Sequence, residues 1–208
     1  KRIRDRRPAR RSIPADFDEC SSIMDSLQGH LLIATPSLLD PNFARTVVLI
    51  AAHGDEGALG LILNREMNMR LPQVWEQISQ SPCLRDESVR HGGPVSGTLM
   101  TVHDQRSLAN LVVTDDLYVA TELNAMEVLA ASDEGRAVFF VGHSGWGAGQ
   151  LESELADGSW VVLPARPEHV FEERDTLTFW KVAITEAGRR QVQAVIPLRH
   201  IPEDPRLN

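Results

Sequence analysis

The stretch RTVVLIAAHGDEGALGLILN (Arg45–Asn64) sets two apolar runs on either side of a short polar turn. Its first run, Arg45 to His53, is β-branched and almost wholly apolar, the pattern of a central strand buried on both faces. The turn Gly54-Asp55-Glu56-Gly57 is too short to return the chain for a parallel pair, which needs a crossover of about a dozen residues or more. The stretch therefore predicts an antiparallel hairpin. Working outward, strand patterns are expected at 30–36, 88–95, 97–103, 117–121, 136–142 and 159–165. Helical spacing is expected at 16–27, 71–80, 122–132, 147–158 and 177–191. Leu71, Val74, Trp75 and Ile78 should share one helix face. So should Leu123, Met126, Val128, Leu129 and Ala130, and likewise Leu177, Trp180 and Ile184. Trp160, Phe179 and Trp180 fall in apolar patterns and should be core. Strands come in runs with helices interspersed, which predicts an α+β fold: one domain with a mixed or mostly antiparallel sheet and flanking helices.

The chain has 208 residues, 42% of them hydrophobic and 24% charged, ordinary for a globular domain. Its net charge of −8 is uneven. Residues 1–12 hold seven of the 21 basic side chains and one of the 29 acidic ones, which leaves 14 and 28 in the rest, a net of −14. The division expected is a basic disordered leader at 1–15, a single domain at 16–195 and a C-terminal tail at 196–208. The body should repel a polyanion, and only residues 1–12 invite nucleic acid, without sequence selectivity. No apolar run is long enough to span a membrane, and no secretory pattern follows the basic start. Cys20 and Cys83 show no metal-ligand spacing, so a cytoplasmic protein with reduced thiols is expected.

The run from Val141, VGHSGWGAGQLESEL, imitates the nucleophile elbow G-x-S-x-G. Trp146 stands where the second glycine belongs, and a strained turn has no room there for an indole. Catalysis by Ser144 is disfavoured, and no catalytic residue is assigned. His53, His91, His103 and His143 lack helical ligand spacing, and no H-E-x-x-H is present, so neither metal nor cofactor is expected. Gly145, Gly147 and Gly149 admit two readings. They expose amides at a helix start to an anion, or they let Trp146 approach the sheet closely. In the following helix Gln150 and Glu154 share one face, and Leu151 and Leu155 share a core-facing one.

Four ordered segments resemble the YqgE/AlgH family of bacterial proteins. They are His30–Ala34 with Asp40–Val47, His53 with Gly57–Arg65, Gly92-Gly93-Pro94-Val95, and Gly145–Leu155. The likeness covers roughly residues 29–188 of the sequence. It implies one compact α+β domain whose sheet is strongly coiled and partly split. It offers no established catalytic residues to carry over. One branch of the family is named for transcriptional regulation of alginate synthesis, and a small non-nucleophilic residue commonly stands at the position of Ser144.

Arg45 and Arg65 flank the hairpin, so both could stand at one end of the sheet. If the Gly-Trp-Gly segment joins them, a pocket forms from Asp40, Arg45, Asn64, Arg65, Gly93, Trp146, Gly147, Gln150 and Glu154. Two guanidiniums, an amide and an indole suit a carboxylate or phosphate on a planar group. The competing reading is an internal network tying Arg45 or Arg65 to Asp40 or Glu154. The function expected is a regulatory or ligand-binding protein, with a small anionic ligand or a protein as partner and no membrane. An enzyme acting on a phosphorylated or carboxylated metabolite is the alternative. Direct DNA control would need a recognition helix with a basic face, and no helix pattern supplies one.

Overall fold

The computed structural model describes residues 26–172 and 175–195, with side chains through Arg190. Strand β1 (His30–Ala34) pairs antiparallel with β2 (Val47–Gly54), and β2 with β3 (Gly57–Ile62) through the expected tight turn. Alternate residues of β2 enter different cores: Leu49 lies with Leu31, Leu61 and Phe140, whereas Val48 and Ile50 lie with Ile62, Trp146 and Trp160. Both faces are thus buried, as the unbroken apolar run requires.

Next come β4 (Glu66–Arg70), helix α1 (Leu71–Trp75), β5 (Ser88–His91) and β6 (Val95–His103). Then follow β7 (Leu111–Thr114), β8 (Leu117–Ala120), α2 (Leu123–Ala130) and β9 (Ala137–Gly147). The chain closes with α3 (Gln150–Ala156), β10 (Trp160–Pro164), α4 (Pro167–Phe171) and α5 (Thr176–Val195). The sheet runs β10-β1-β2-β3-β9-β6-β8-β7, with β4 on β5 and β5 on β9 beside that path. All pairs are antiparallel except β5 with β9. The fold is α+β with a mostly antiparallel sheet, split along β9. One side of β9 meets β5 at Phe140 and Val141, then β3 from Ser144 to Gly147. Its other side meets β6.

Between β5 and β6 the chain must pass from one side of β9 to the other, and it does so at Gly92 and Gly93. A Cβ on Gly93 would sit 2.4 Å from the His143 carbonyl oxygen, and one on Gly92 2.1 Å from that of Gly142. Gly142 itself takes φ +76, a backbone that side chains other than glycine's rarely tolerate.

Several expectations shift. Helix 71–80 stops at Trp75, because the Trp75 indole N–H donates to the Ser81 carbonyl and pulls the chain into turns; Ile78 is left 40% exposed. In α2 the buried side is Ala125, Met126, Leu129 and Ala130, while Leu123 and Val128 face solvent. In α5 the buried stripe is Phe179, Ala183 and Ala187, with Trp180 and Ile184 at its flank and Leu177 outside. Gly145 and Gly147 belong to β9, not to a turn. Strands β4 and β7 and helix α4 were not expected. The leader, most of the proposed 16–27 helix, Cys20 and the C-terminal tail lie outside the described residues.

His103 on β6 is fully buried, 0% exposed. Its Nδ1 accepts the Gln105 N–H at 3.3 Å, so Nε2 carries the proton, and among the described residues Nε2 has no hydrogen-bond partner. Burial pushes the imidazole's pKa down, against the neighbouring charge of Asp104. A folded pKa below the unfolded value of about 6.5 makes this contribution complete above that pH, and it declines as pH falls below it. The urea midpoint should therefore drop between pH 6.5 and 5, with a slope of at most about 1.4 kcal/mol per pH unit from one histidine. His103→Leu should flatten that slope; an unchanged slope in the variant contradicts the assignment.

Candidate functional site: the tryptophan corner and the β4–β5 cleft

The residues singled out in the sequence form two neighbouring networks. In the first, the Glu154 carboxylate accepts the indole N–H groups of Trp146 at 2.9 Å and Trp160 at 2.8 Å on one oxygen. Its other oxygen accepts the Gln150 amide at 2.9 Å, and Gln150 in turn accepts the Gly147 N–H at 3.1 Å. Both indoles are buried. Beside this network, the His53 Nδ1 accepts the Leu27 N–H, so its Nε2 carries the proton and donates to Glu152 at 2.7 Å.

The second network gathers on the loop Asp40–Thr46. Asn64 accepts the Val47 N–H and donates to the carbonyls of Arg45 and Thr176, at 2.9 to 3.1 Å. Arg65 donates to the Pro41 carbonyl at 2.9 Å. Burial lowers the Arg65 pKa, and the charge of Asp40 opposes that. Asp40 accepts the Asn42 N–H at 2.8 Å, closing the turn. Arg45 takes φ +58 and leaves its side chain in solvent.

Phe43 joins the two networks. Its ring stacks on Trp146 with centroids 5.8 Å apart and meets Trp160 edge-on at 5.5 Å. The segments do meet at one corner, but an aromatic ring and saturated hydrogen bonds fill it. Gly93 sits in the crossing over β9. Ser144 lies there too: it is 0% exposed, and its hydroxyl donates to the Gly92 carbonyl at 3.2 Å. The neighbouring His143 instead contacts Thr98, 3.1 Å from its Nδ1. Ser144 ties the crossing together and is closed to a substrate.

Open space lies elsewhere. A cleft of about 600 Å³ stands over β4, β5 and the start of β9. Its floor carries Glu66 and Arg70 from β4, and Ser88 and Arg90 from β5. The register places Glu66 opposite Arg90 and Arg70 opposite Ser88, so these side chains share one face. The other face of β4 turns Met67 and Met69 into the core. Asp86 and Glu87 stand at one rim, and Phe171 and Asp175 at another.

Arg70 grips Asp86 through Nε at 3.0 Å and a terminal nitrogen at 2.9 Å, and that bond holds the Asp86 carboxyl below its usual range. Arg90 donates to the Val170 carbonyl at 3.0 Å. Asp175 accepts the Thr178 N–H at 2.9 Å at the start of α5, which lowers its pKa. Glu87 is pushed up by burial, in spite of Arg85, Arg90 and Arg70 nearby. Among the described residues its buried Oε1 has no hydrogen-bond partner, and it pairs with the Arg85 guanidinium at 3.7 Å. The alternation Glu-Met-Asn-Met-Arg at 66–70 is the signal that could have revealed this strand and its polar face. Among the described residues, no group of three or more His, Cys, Asp or Glu could hold a metal ion, and no helix is long and apolar enough to cross a membrane.

An α+β chain with a sheet split along one long strand, a filled aromatic corner and a separate polar cleft is the class of protein defined so far. The AlgH-like family matches residues 31–191, and the chain belongs to that family. Among its relatives, the UPF0301 protein mlr7511 of Mesorhizobium japonicum is 37% identical, covering 70% of this chain and 79% of the relative. The UPF0301 protein SPO0296 of Ruegeria pomeroyi is 36% identical, over 78% and 92%. The solution structure of the AlgH protein from Pseudomonas aeruginosa is similar, with a TM-score of 0.67 and 29% identity, covering 84% of this chain and 95% of that one. The crystal structure of DIP2367 from Corynebacterium diphtheriae shares the fold, with a TM-score of 0.63 at 24% identity over 76% and 85%.

If Glu154 is a structural clasp, Glu154→Ala leaves two buried indole N–H groups unpaired and should cost about 2–4 kcal/mol in urea unfolding. Glu154→Gln keeps an acceptor and should cost roughly half. Equal, negligible losses would make the carboxylate a free surface group.

Proposed function

We propose that this chain is a regulatory or ligand-binding protein, not a catalyst, and that it takes a small polar ligand in the cleft over β4 and β5. The observation that carries this is the cleft itself. Its volume of about 600 Å³ falls in the range of small-molecule sites, about 300–1,000 Å³. Its floor is charged, whereas Leu31–Ala34 of β1 and Val47–Ala51 of β2 are apolar and buried. Burying the polar face of β4 would gain nothing, so a face of this kind is free to serve recognition. The Cys83 thiol, a donor to the Arg85 carbonyl, suits a cytoplasmic setting.

A second reading places an anion against Arg45 and Arg65. It is favoured by the left-handed backbone of Arg45, which Asn64 holds while the guanidinium stays in solvent. Transcriptional control through sequence-specific DNA contact is the weaker regulatory reading. The body outside residues 1–12 carries a net charge of −14, which repels a polyanion.

Amide chemical shifts followed during titration with a panel of amines, amino acids, carboxylates and phosphate separate these readings. The cleft reading expects saturable shifts confined to Glu66–Arg70, Ser88–Arg90 and Val138. Shifts confined to Asp40–Thr46, abolished in Arg65→Ala, would replace it with the anion reading.

A further inference from the structure

We propose that His53 is a pH-operated latch on the chain that enters β1: a proton added at its Nδ1 ejects Leu27 and frees the chain before Gly29, while the sheet stays intact. The inference is independent of the cleft and rests on how the two ring nitrogens are spent. His53 stands near the end of β2 with its side chain 5% exposed. Nδ1 accepts the Leu27 N–H at 3.0 Å, and Nε2 donates to Glu152 at 2.7 Å. A neutral imidazole has one donor and one acceptor, and both are in use. An imidazolium has two donors and no acceptor. Its new N–H would point at the Leu27 N–H, donor against donor, where water has little access, so the added proton costs that bond. The bond to Glu152 survives and becomes an ion pair. The Glu152 carboxyl is held below its ordinary range, by its own backbone N–H first and by His53 after it, so it stays an anion as the pH falls toward about 5.

The release stops at Gly29. Its N–H donates to the Ile50 carbonyl at 3.0 Å and its carbonyl accepts the Ala165 N–H at 2.9 Å, and neither bond involves a ring that titrates. Its φ is +75, and a Cβ there would come within 2.8 Å of the Val113 carbonyl oxygen, so the turn is fixed. Leu27 is otherwise kept by a partly buried side chain beside Trp146 and Trp160 and by the His30 N–H on its carbonyl. Ser26 is tied to the same histidine, its hydroxyl donating to the His53 carbonyl at 3.1 Å. The other titratable side chains around the latch do not act in this way. His30 Nδ1 lies 3.2 Å from the Gln28 carbonyl, so it donates there, and a second proton on that ring leaves the bond in place. Asp55 and Glu56, in the turn after His53, and Asp115 and Asp116, after β7, are exposed acids without a side-chain bond to this segment among the described residues. On β3 the residue opposite His53 is the uncharged Ala58. The chain before Gly29 includes the basic residues 1–12, so acidification loosens the tie between that stretch and an acidic body.

The test is amide exchange and ring-nitrogen NMR on the full chain between about pH 7.5 and 5. At the upper end the His53 ring should carry a proton on Nε2 only. As the pH falls the ring should gain its second proton, and Leu27 protection, corrected for intrinsic exchange, should drop at least about tenfold with the same midpoint. Leu31–Ile33 of β1 should keep their protection, which separates release from the general loss of stability expected of His103. His53→Asn offers an acceptor near the position of Nδ1 that does not titrate, and should make Leu27 protection independent of pH. His30→Gln should leave the wild-type response unchanged. If His53→Asn does not fold, the match of the two midpoints in wild type decides. Leu27 protection that ignores pH, a ring that stays neutral throughout, or midpoints that differ would each overturn the latch. So would a response that persists in His53→Asn, one that disappears in His30→Gln, or a loss that is equal along β1.

Discussion

The architecture depends on the passage of Gly92 and Gly93 over β9. There two backbones lie closer than any side chain allows, and the hydroxyl of Ser144 bonds the upper strand to the lower. The crossing lets β5 and β6 flank opposite sides of the same strand. That geometry splits the sheet, so the far half of β9 can pair with β3 and carry Trp146 to the aromatic corner. The β4–β5 pair, which would otherwise extend the main path, is pushed aside, and its polar face is left open as the cleft.

The motifs that carry the family resemblance are thereby given physical roles. Gly92-Gly93-Pro94-Val95 is the crossing. The alternating glycines and Trp146 are the end of β9, where an indole reaches into the core. Glu154 collects two indole N–H groups and an amide and fixes α3 against the sheet. Asn64 locks the entry to β2 to the start of α5. Trp146, Trp160 and Asn64 are buried, and their polar groups are hydrogen-bonded within the fold. The open cleft over β4 and β5 is lined by residues that none of the four motifs contains.

Much of the fold was legible in the sequence because burial on both faces leaves an unmistakable record. The Arg45–Asn64 hairpin, the buried start of β9 and the antiparallel bias follow from apolar runs and a short turn. Trp146, standing where the elbow's second glycine belongs, argued against Ser144, and that serine lies buried in the crossing. What could not be read was the direction of α5, where small residues, Ala183 and Ala187, face the core and larger ones flank it. Nor could the early end of α1 be read, since it depends on Trp75 finding the Ser81 carbonyl. The segments that carry the nine proposed residues meet at one corner, which the Phe43 ring fills. Phe43, which fills the meeting point, carries no polar signal to draw attention to it, and the charged face of β4 is only five residues long.

The crossing is tested most directly by comparing Gly93→Ala with Gly149→Ala in urea unfolding. Gly149 also has a positive φ, of +71, but open space around it, so it isolates the backbone cost from the overlap. The account predicts that Gly149→Ala loses about 1 kcal/mol, whereas Gly93→Ala loses more than about 3 kcal/mol or fails to fold. Equal, small losses at the two positions would mean that the strands do not cross at Gly93, and the origin of the split sheet and its cleft would have to be sought elsewhere.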